Sequence, residues 1–388
     1  MCKRLSPLAV VPNQLVCSMC LPDYPVSSLR IKVLNDADEF AALGKSWQAL
    51  AAVDTKTSFF NDWHWNNLWW QHHQYLGQLH VLLVYQEHRL VGLAPFYKDQ
   101  SKVLGLIRQT TLRFLGTGGN TSPDDLNVLA EPGIRTEVCE SVCHFVFADF
   151  SIQRMLLADV PVDSEFYKVF TRIALEKHGY AINPAVSHRR CTALPNEWPE
   201  FREQISRNTH KQIKRRFNRL KSVGNTHMQV CNSLDETNAA YSALVDLHLA
   251  RWDRKKQGGS TSFTSPVYVE FHRALVQKLF STEQLRLVTL KLDDKIIAVE
   301  YALVYNETLM FFQTGFNPDF EHLSPGHVLM TFAIKHAIES GLKKIDLLKG
   351  DYEYKNSYAR EVVESASIGH YRAGWVSKLA QLNDLRKR

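Results

Sequence analysis

Two carboxylates stand inside otherwise apolar runs: Asp346 among Ile345, Leu347 and Leu348, and Glu300 within Ala298-Val299-Glu300-Tyr301-Ala302. A carboxylate in such surroundings loses solvation of its charged form, so its pKa rises and it can take a proton from an amine or hydroxyl near neutral pH. Asp346 is the first candidate for a general base and Glu300 the second. The same surroundings suit a structural role, with Asp346 half of a buried pair with Lys349 or Lys355.

Upstream of Asp346, Ser324-Pro325-Gly326-His327 opens a helical pattern. A helix beginning in such a loop points unpaired backbone N–H groups outward at its positive end, a site for a phosphate or for the pyrophosphate of coenzyme A. His327, at that end, should hold its proton weakly and could donate to phosphate as a neutral ring. Other chemistries find less support. His64, His72 and His73 have no carboxylate or cysteine to complete a ligand set, and Cys17 and Cys20 have no second pair at zinc spacing, so no metal is expected. A nucleophile elbow Gly-x-Ser-x-Gly is missing from the sequence.

The elements that must position these groups are legible around them. Residues 308–314 are apolar and aromatic and suit a buried strand, and Gly315, Pro318, Pro325 and Gly326 punctuate the connection from that strand to the helix. A helix should start near His327, carry Val328, Leu329, Phe332, Ala333, His336 and Ala337 on one face, and stop at Gly341. A short second strand over 345–348 carries Asp346.

On these residues, Gly315, Ser324-Pro325-Gly326, Asp346, Gly350-Asp351 and Tyr354-Lys355, the sequence resembles the GNAT acyltransferase superfamily. Within it the likeness is to the CelD-like acetyltransferases of cellulose biosynthesis, relatives of the Fem-type aminoacyl transferases. The first half resembles them more loosely, through Phe59-Phe60-Asn61-Asp62-Trp63-His64-Trp65 and Val91-Gly92-Leu93-Ala94-Pro95-Phe96. The resemblance implies that a pantetheine arm lies between two splayed strands, here 309–315 and 345–348, while a backbone N–H steadies the thioester carbonyl. It implies donor contacts at Gln313, Thr314, Gly315, Ser324, Gly326, His327 and Val328, and an acceptor-orienting role for Lys355, whose other reading is a surface lysine.

The 388 residues exceed one ordinary domain, and two are expected: 29–198 as an acceptor-side half with a degenerate donor site, and 199–388 as the donor-binding half, behind a disordered leader over 1–28. Each half shows an apolar hairpin, 79–85 with 90–97 and 285–291 with 296–305, turning at Glu87-His88-Arg89 and Asp293-Asp294-Lys295. A loop, a helix (135–149 in the first half) and a strand (154–160) come next, as they do in the second half. We therefore read a duplicated mixed-sheet α/β unit joined near 194–199. The loop 116–125 has no comparable strand-to-helix phosphate turn; it is either a plain flexible loop or an acceptor cradle in which Asp124 and Asp125 read amino or hydroxyl groups.

Seven Lys or Arg residues and no acid fall between Arg207 and Lys221, so removing those charges from the chain's net +6 leaves −1. This basic helix, with Ile205, Ile213, Phe217 and Leu220 as its buried stripe, is either an ordinary solvated helix or an anion-facing device for the coenzyme's 3′-phosphate, a sugar-nucleotide or lipid-linked acceptor, tRNA or an anionic membrane. No stable nucleic-acid complex is expected, since no reading module or further basic patch appears. Trp63, Trp65, Trp69, Trp70 and Tyr75 read mostly as core, with part of the cluster able to wall a sugar site. Seven irregularly spaced cysteines suit reduced thiols, and the absence of a spanning run suits a cytoplasmic protein, peripheral at most to the inner face of a membrane.

The expected activity is transfer of an acyl group, acetyl from acetyl-CoA, to an amine or hydroxyl of a sugar, amino acid or cell-envelope or polysaccharide precursor. The alternatives are a tRNA-dependent aminoacyl transferase of Fem type and a non-catalytic scaffold binding polysaccharide or nucleic acid.

Overall fold

The computed structural model describes residues 29–103, 107–176, 185–255, 262–350, 353–374, 378 and 381. The leader over 1–28, with Cys17 and Cys20, and Asp351 of the family motif lie outside the described residues. The first half runs β1 (Leu29–Leu34), α1 (Ala37–Ala42), α2 (Gly44–Val53), α3 (Trp63–His73), β2 (Gly77–Leu79), β3 (Val81–Gln86), β4 (Arg89–Ala94), β5 (Phe96–Val103), β6 (Ile107–Phe114), β7 (Leu129–Ala130), α4 (Arg135–Ala148), β8 (Arg154–Pro161), α5 (Glu165–Glu176) and β9 (Ala185–Ala193). The second runs α6 (Trp198–Gln204), α7 (Arg207–Lys221), β10 (Thr226–Val230), α8 (Leu234–Lys255), α9 (Pro266–Ser281), β11 (Leu285–Leu292), β12 (Lys295–Tyr305), β13 (Thr308–Phe316), α10 (Pro325–Glu339), β14 (Lys344–Lys349) and β15 (Glu361–Tyr371).

The strands form a four-stranded sheet, β1-β3-β4-β7, and an eleven-stranded sheet, β10-β11-β12-β13-β14-β9-β15-β8-β6-β5-β2. The repeat expected from element order is present in pairing. In each half an antiparallel hairpin leads to a parallel pair, β6 with β8 and β13 with β14. The first hairpin is shorter than its sequence suggests because Pro95, with no N–H to donate to a ladder, divides the expected strand into β4 and β5, which join different sheets. At the centre the halves trade strands: β9 pairs with β14, and β15 pairs with β8 and β9, so each half's last strand completes the other's sheet.

Both halves carry the same irregularity. β8 and β14 each break register with the strand beside them, with Asp159 at φ +46° and Leu348 at φ +51°. The grooves beside these bulges differ. In the first half the loop after β6 fills the groove: Leu115, Leu126 and Val128 are buried, and the Leu126 N–H donates to the Asp159 carbonyl at 3.1 Å. The expectation of a flexible loop is thereby corrected, because Asp124 and Asp125 are tied into the fold.

The indoles of α3 are core. Trp63, Trp65, Trp69 and Trp70 are all buried, Trp65 against Phe59, Phe60, Phe271 and Phe312, so it packs residues of both halves together. Only Tyr75 of the aromatic cluster is open to solvent, at 65% exposure, so the rings do not wall a sugar site. Among the described residues no helix is long and apolar enough to cross a membrane, and no group of three or more His, Cys, Asp or Glu could hold a metal ion.

Candidate active site

β13 and β14 pair only over Thr308, Leu309 and Met310 with Lys344, Ile345 and Asp346; beyond that they part. A cleft of about 580 Å³ occupies the gap. Phe311, Phe312, Gln313 and Thr314 form one wall, Leu347, Leu348 and Lys349 the other, and Ser324 to His327 one end. Consecutive residues of a regular strand point to opposite faces, so four in a row can line one wall only where the strand is irregular. The irregularity is a bulge: Gln313 faces Tyr301 and Phe311 faces Ala302, which takes Phe312 out of the ladder with β12.

The end wall is built by the sequence around α10. Ser324 adopts a left-handed conformation, φ +56°, and its side chain does not cap the helix, so the first turn is left to face the cleft. The other end closes as anticipated: Gly341 at φ +78° lets its own N–H donate to the Ile338 carbonyl and the Leu342 N–H to the Ala337 carbonyl, each at 2.9 Å. A side chain on Gly326 would meet Thr314 and Phe316 at 3.5 and 3.9 Å, so any large residue there projects across the cleft. His327 is held well below the usual imidazole range, at about 4, by burial and by the nearby Arg216.

Gln313, Thr314, Ser324, Gly326 and His327 thus all line the cleft. Gly315 and Val328 do not. Gly315 faces α8, where a Cβ would come within 2.9 Å of the Leu244 carbonyl, and the buried Val328 packs in the core with its N–H given to Ser324. His248 and Arg251 of α8, absent from the sequence-based set, line the cleft as well. α8 lies far upstream and shows no local motif, so only the tertiary fold brings them there.

The three candidate catalytic groups have distinct settings. Glu300 is fully buried opposite Thr314, whose hydroxyl donates to its Oε2 at 2.7 Å, while Oε1 has no partner among the described residues. Burial pushes Glu300 up to about 8, partly offset by the Thr314 hydrogen bond and the charge of Lys355. Asp346 accepts the Leu348 N–H at 2.8 Å and pairs with Arg189 Nε at 3.0 Å, and Arg189 is itself tied to Asp125. The Lys355 ammonium donates to the carbonyls of Leu347, Leu348 and Lys349 at 2.7, 3.0 and 3.0 Å, holding the bulge from beneath; it is buried, not a surface lysine.

Asp124 and Asp125 complete the far side. The Lys349 N–H donates to Asp124 at 2.9 Å, the Lys349 ammonium reaches Asp159 at 2.6 Å, and Asp125 accepts from Ser365 at 2.9 Å. Burial pushes the Asp124 carboxyl up against the pull of Lys349. Asp346 is therefore paired with Arg189 of β9, across the strand exchange, and not with Lys349 or Lys355.

Residues 207–356 match the family model of the acetyltransferase (GNAT) domain. Among solved structures the chain is similar to FemX, at 10% identity over 87% of this chain and 98% of that chain, with a TM-score of 0.58. It is similar to the C-terminal domain of a protein from Agrobacterium fabrum assigned as a lysylphosphatidylglycerol synthetase, at 12% identity over 89% and 96%, TM-score 0.52. A conserved protein of unknown function from Bacteroides thetaiotaomicron aligns at 12% identity over 88% and 100%, TM-score 0.53. No curated protein matches. At these identities the structural likenesses speak for fold alone, and with the domain match they identify a mixed α/β protein of GNAT fold whose acetyltransferase-type domain contains the splayed cleft.

Proposed function

We propose that the protein is an acyl-CoA-dependent acyltransferase of CelD-like type, with acetyl-CoA as donor and an amine or hydroxyl of a sugar, amino acid or envelope precursor as acceptor. The observation that carries this reading is the open cleft between β13 and β14, which ends on the uncapped first turn of α10. A donor pyrophosphate fits that turn, and a pantetheine arm fits the gap where strand pairing stops. The first half offers no such groove because its own loop occupies it. On this basis residues 199–388 bind the donor and residues 29–198 support the acceptor side, with the leader over 1–28 outside both.

Glu300 is assigned as the general base, acting through the Thr314 hydroxyl that lines the cleft. The acceptor nitrogen or oxygen attacks the thioester carbonyl, its proton passes by way of Thr314 to Glu300, and the C–S bond breaks to release the thiolate, which takes a proton from solvent as Glu300 returns its own to solvent. The N–H of Phe312, which the bulge takes out of the ladder with β12, is assigned as the donor to the developing oxyanion. Asp346 and Lys355 are assigned as positioning residues that fix the bulge at Leu348. Thiol release from acetyl-CoA, screened over amino sugars, amino acids and sugar-phosphate precursors, tests the reading. Acceptor-dependent release that Glu300→Gln lowers is the expected result, and no release with any acceptor counts against it.

A second reading, aminoacyl transfer from a charged tRNA, draws on the basic face of α7 and on the similarity to FemX. Competition between tRNA and acetyl-CoA for the cleft distinguishes the two.

A further inference from the structure

Helix α7 holds the positive excess of the whole chain. Thr209, Ile213 and Leu220 bury its inner stripe in the core that includes α10. Arg216 and Arg219 are used internally: Arg216 bonds Gln212 at 3.2 Å and Tyr358, and Arg219 donates to the His322 carbonyl at 2.8 Å. The other five cations, Arg207, Lys211, Lys214, Arg215 and Lys221, are exposed. At helical spacing they share the outward face along about 21 Å of helix. Among the described residues none of the five makes an ion pair.

Five unpaired cations exceed what the single 3′-phosphate of a coenzyme A donor could neutralise, so the face fits a larger anion. Three features favour a lipid surface over nucleic acid. The outward face carries no Phe, Tyr or Trp on which a base could stack. The rest of the chain carries a net charge of −1, so the net attraction to an anionic surface comes from this helix. The apolar stripe is already buried, so the helix cannot insert and can meet headgroups only through its charges. The helix also lies against α10 and the turn Pro318–Leu323, beside the end of the cleft.

We propose that the outer face of α7 docks the protein on an anionic lipid bilayer, placing the cleft mouth at the headgroup plane where a lipid-linked acceptor can reach it. The acceptor clause rests on the acyltransferase reading; the docking does not.

Co-sedimentation of the full chain with vesicles of phosphatidylglycerol and phosphatidylcholine in equal parts, and of phosphatidylcholine alone, tests it. Binding to the anionic vesicles only, weakened by salt, is expected. The triple variant Lys211→Glu, Lys214→Glu, Arg215→Glu should bind at least about 100-fold more weakly, and Lys211→Gln with Lys214→Gln about 30-fold more weakly, both with unchanged melting temperatures. Failure of the wild-type chain to bind anionic vesicles, equal binding by the variants, or release from vesicles by lower concentrations of unfractionated tRNA would overturn the inference. Titrating acetyl-CoA into the same samples separates the two claims: donor binding without docking removes only this inference, and docking without donor binding removes only the acyltransferase reading.

Discussion

Glu300 is the side chain on which turnover should depend most sharply. A base pushed up to about 8 is mostly protonated at neutral pH, so kcat/KM should rise with pH and level off above about 8. Glu300→Gln should lower kcat by about 100-fold or more and flatten that rise, leaving acetyl-CoA affinity unchanged. The same group makes a stability prediction of definite sign. Its folded pKa lies above the ordinary 4.5, so the folded state keeps a proton that the unfolded chain releases, and stability falls as pH climbs from 4.5 to about 8. Glu300→Gln, which carries no such charge, should be more stable than the parent at pH 8, by on the order of 4 kcal/mol, and the gap should close below pH 4.5. Asp346→Asn tests the competing assignment. If Asp346 only positions, the variant should lose stability and show a weakened kcat with the pH profile intact; loss of the pH dependence itself would move the base to Asp346.

The bulge at Leu348 shows what the sequence could and could not reveal. The strand, turn, helix and strand over 308–349 were legible because each has a local cause: an apolar run, Pro and Gly punctuation, helical spacing and a left-handed glycine stop. The Ser-Pro-Gly turn at the start of α10 was legible for the same reason, and with it Gln313, Thr314, Ser324, Gly326 and His327 as residues of the cleft. The fate of Asp346 and Lys355 was not, since it depends on Arg189 reaching across from β9 and on three carbonyls gathered by one ammonium. Nothing near these residues in the chain marks either contact. The filling of the first groove by Leu126 was hidden likewise, because a Gly-rich loop reads as mobile until its tertiary partners are known. Lys355→Met should therefore act on the fold more than on the chemistry. It leaves three carbonyls without their donor in a buried site, and it should cost about 2–4 kcal/mol in denaturant unfolding. Unchanged stability with abolished turnover would instead make Lys355 an acceptor-orienting group.

The exchange of β9 and β15 joins the two halves more closely than a linker would. Residues 29–198 produced alone would lack β15 beside β8, and residues 199–388 alone would lack β9 beside β14, each exposing a long hydrogen-bonding edge. Each fragment should be insoluble or aggregated when produced singly, and the two together should recover a soluble complex; a soluble, monomeric, cooperatively folding fragment would show that the exchange is dispensable. The arrangement also explains how a duplicated fold comes to have one open groove: the first half's loop fills its own and, through Asp124 and Lys349, braces the wall of the other. Whether that second groove takes the donor is decided by calorimetric titration of the purified protein with acetyl-CoA, beside the Gly326→Trp variant, whose indole would project across the cleft toward Thr314 and Phe316. Saturable micromolar binding by the parent and none by the variant is the predicted result, whereas no binding by the parent, or equal binding by both, would contradict a donor site between β13 and β14.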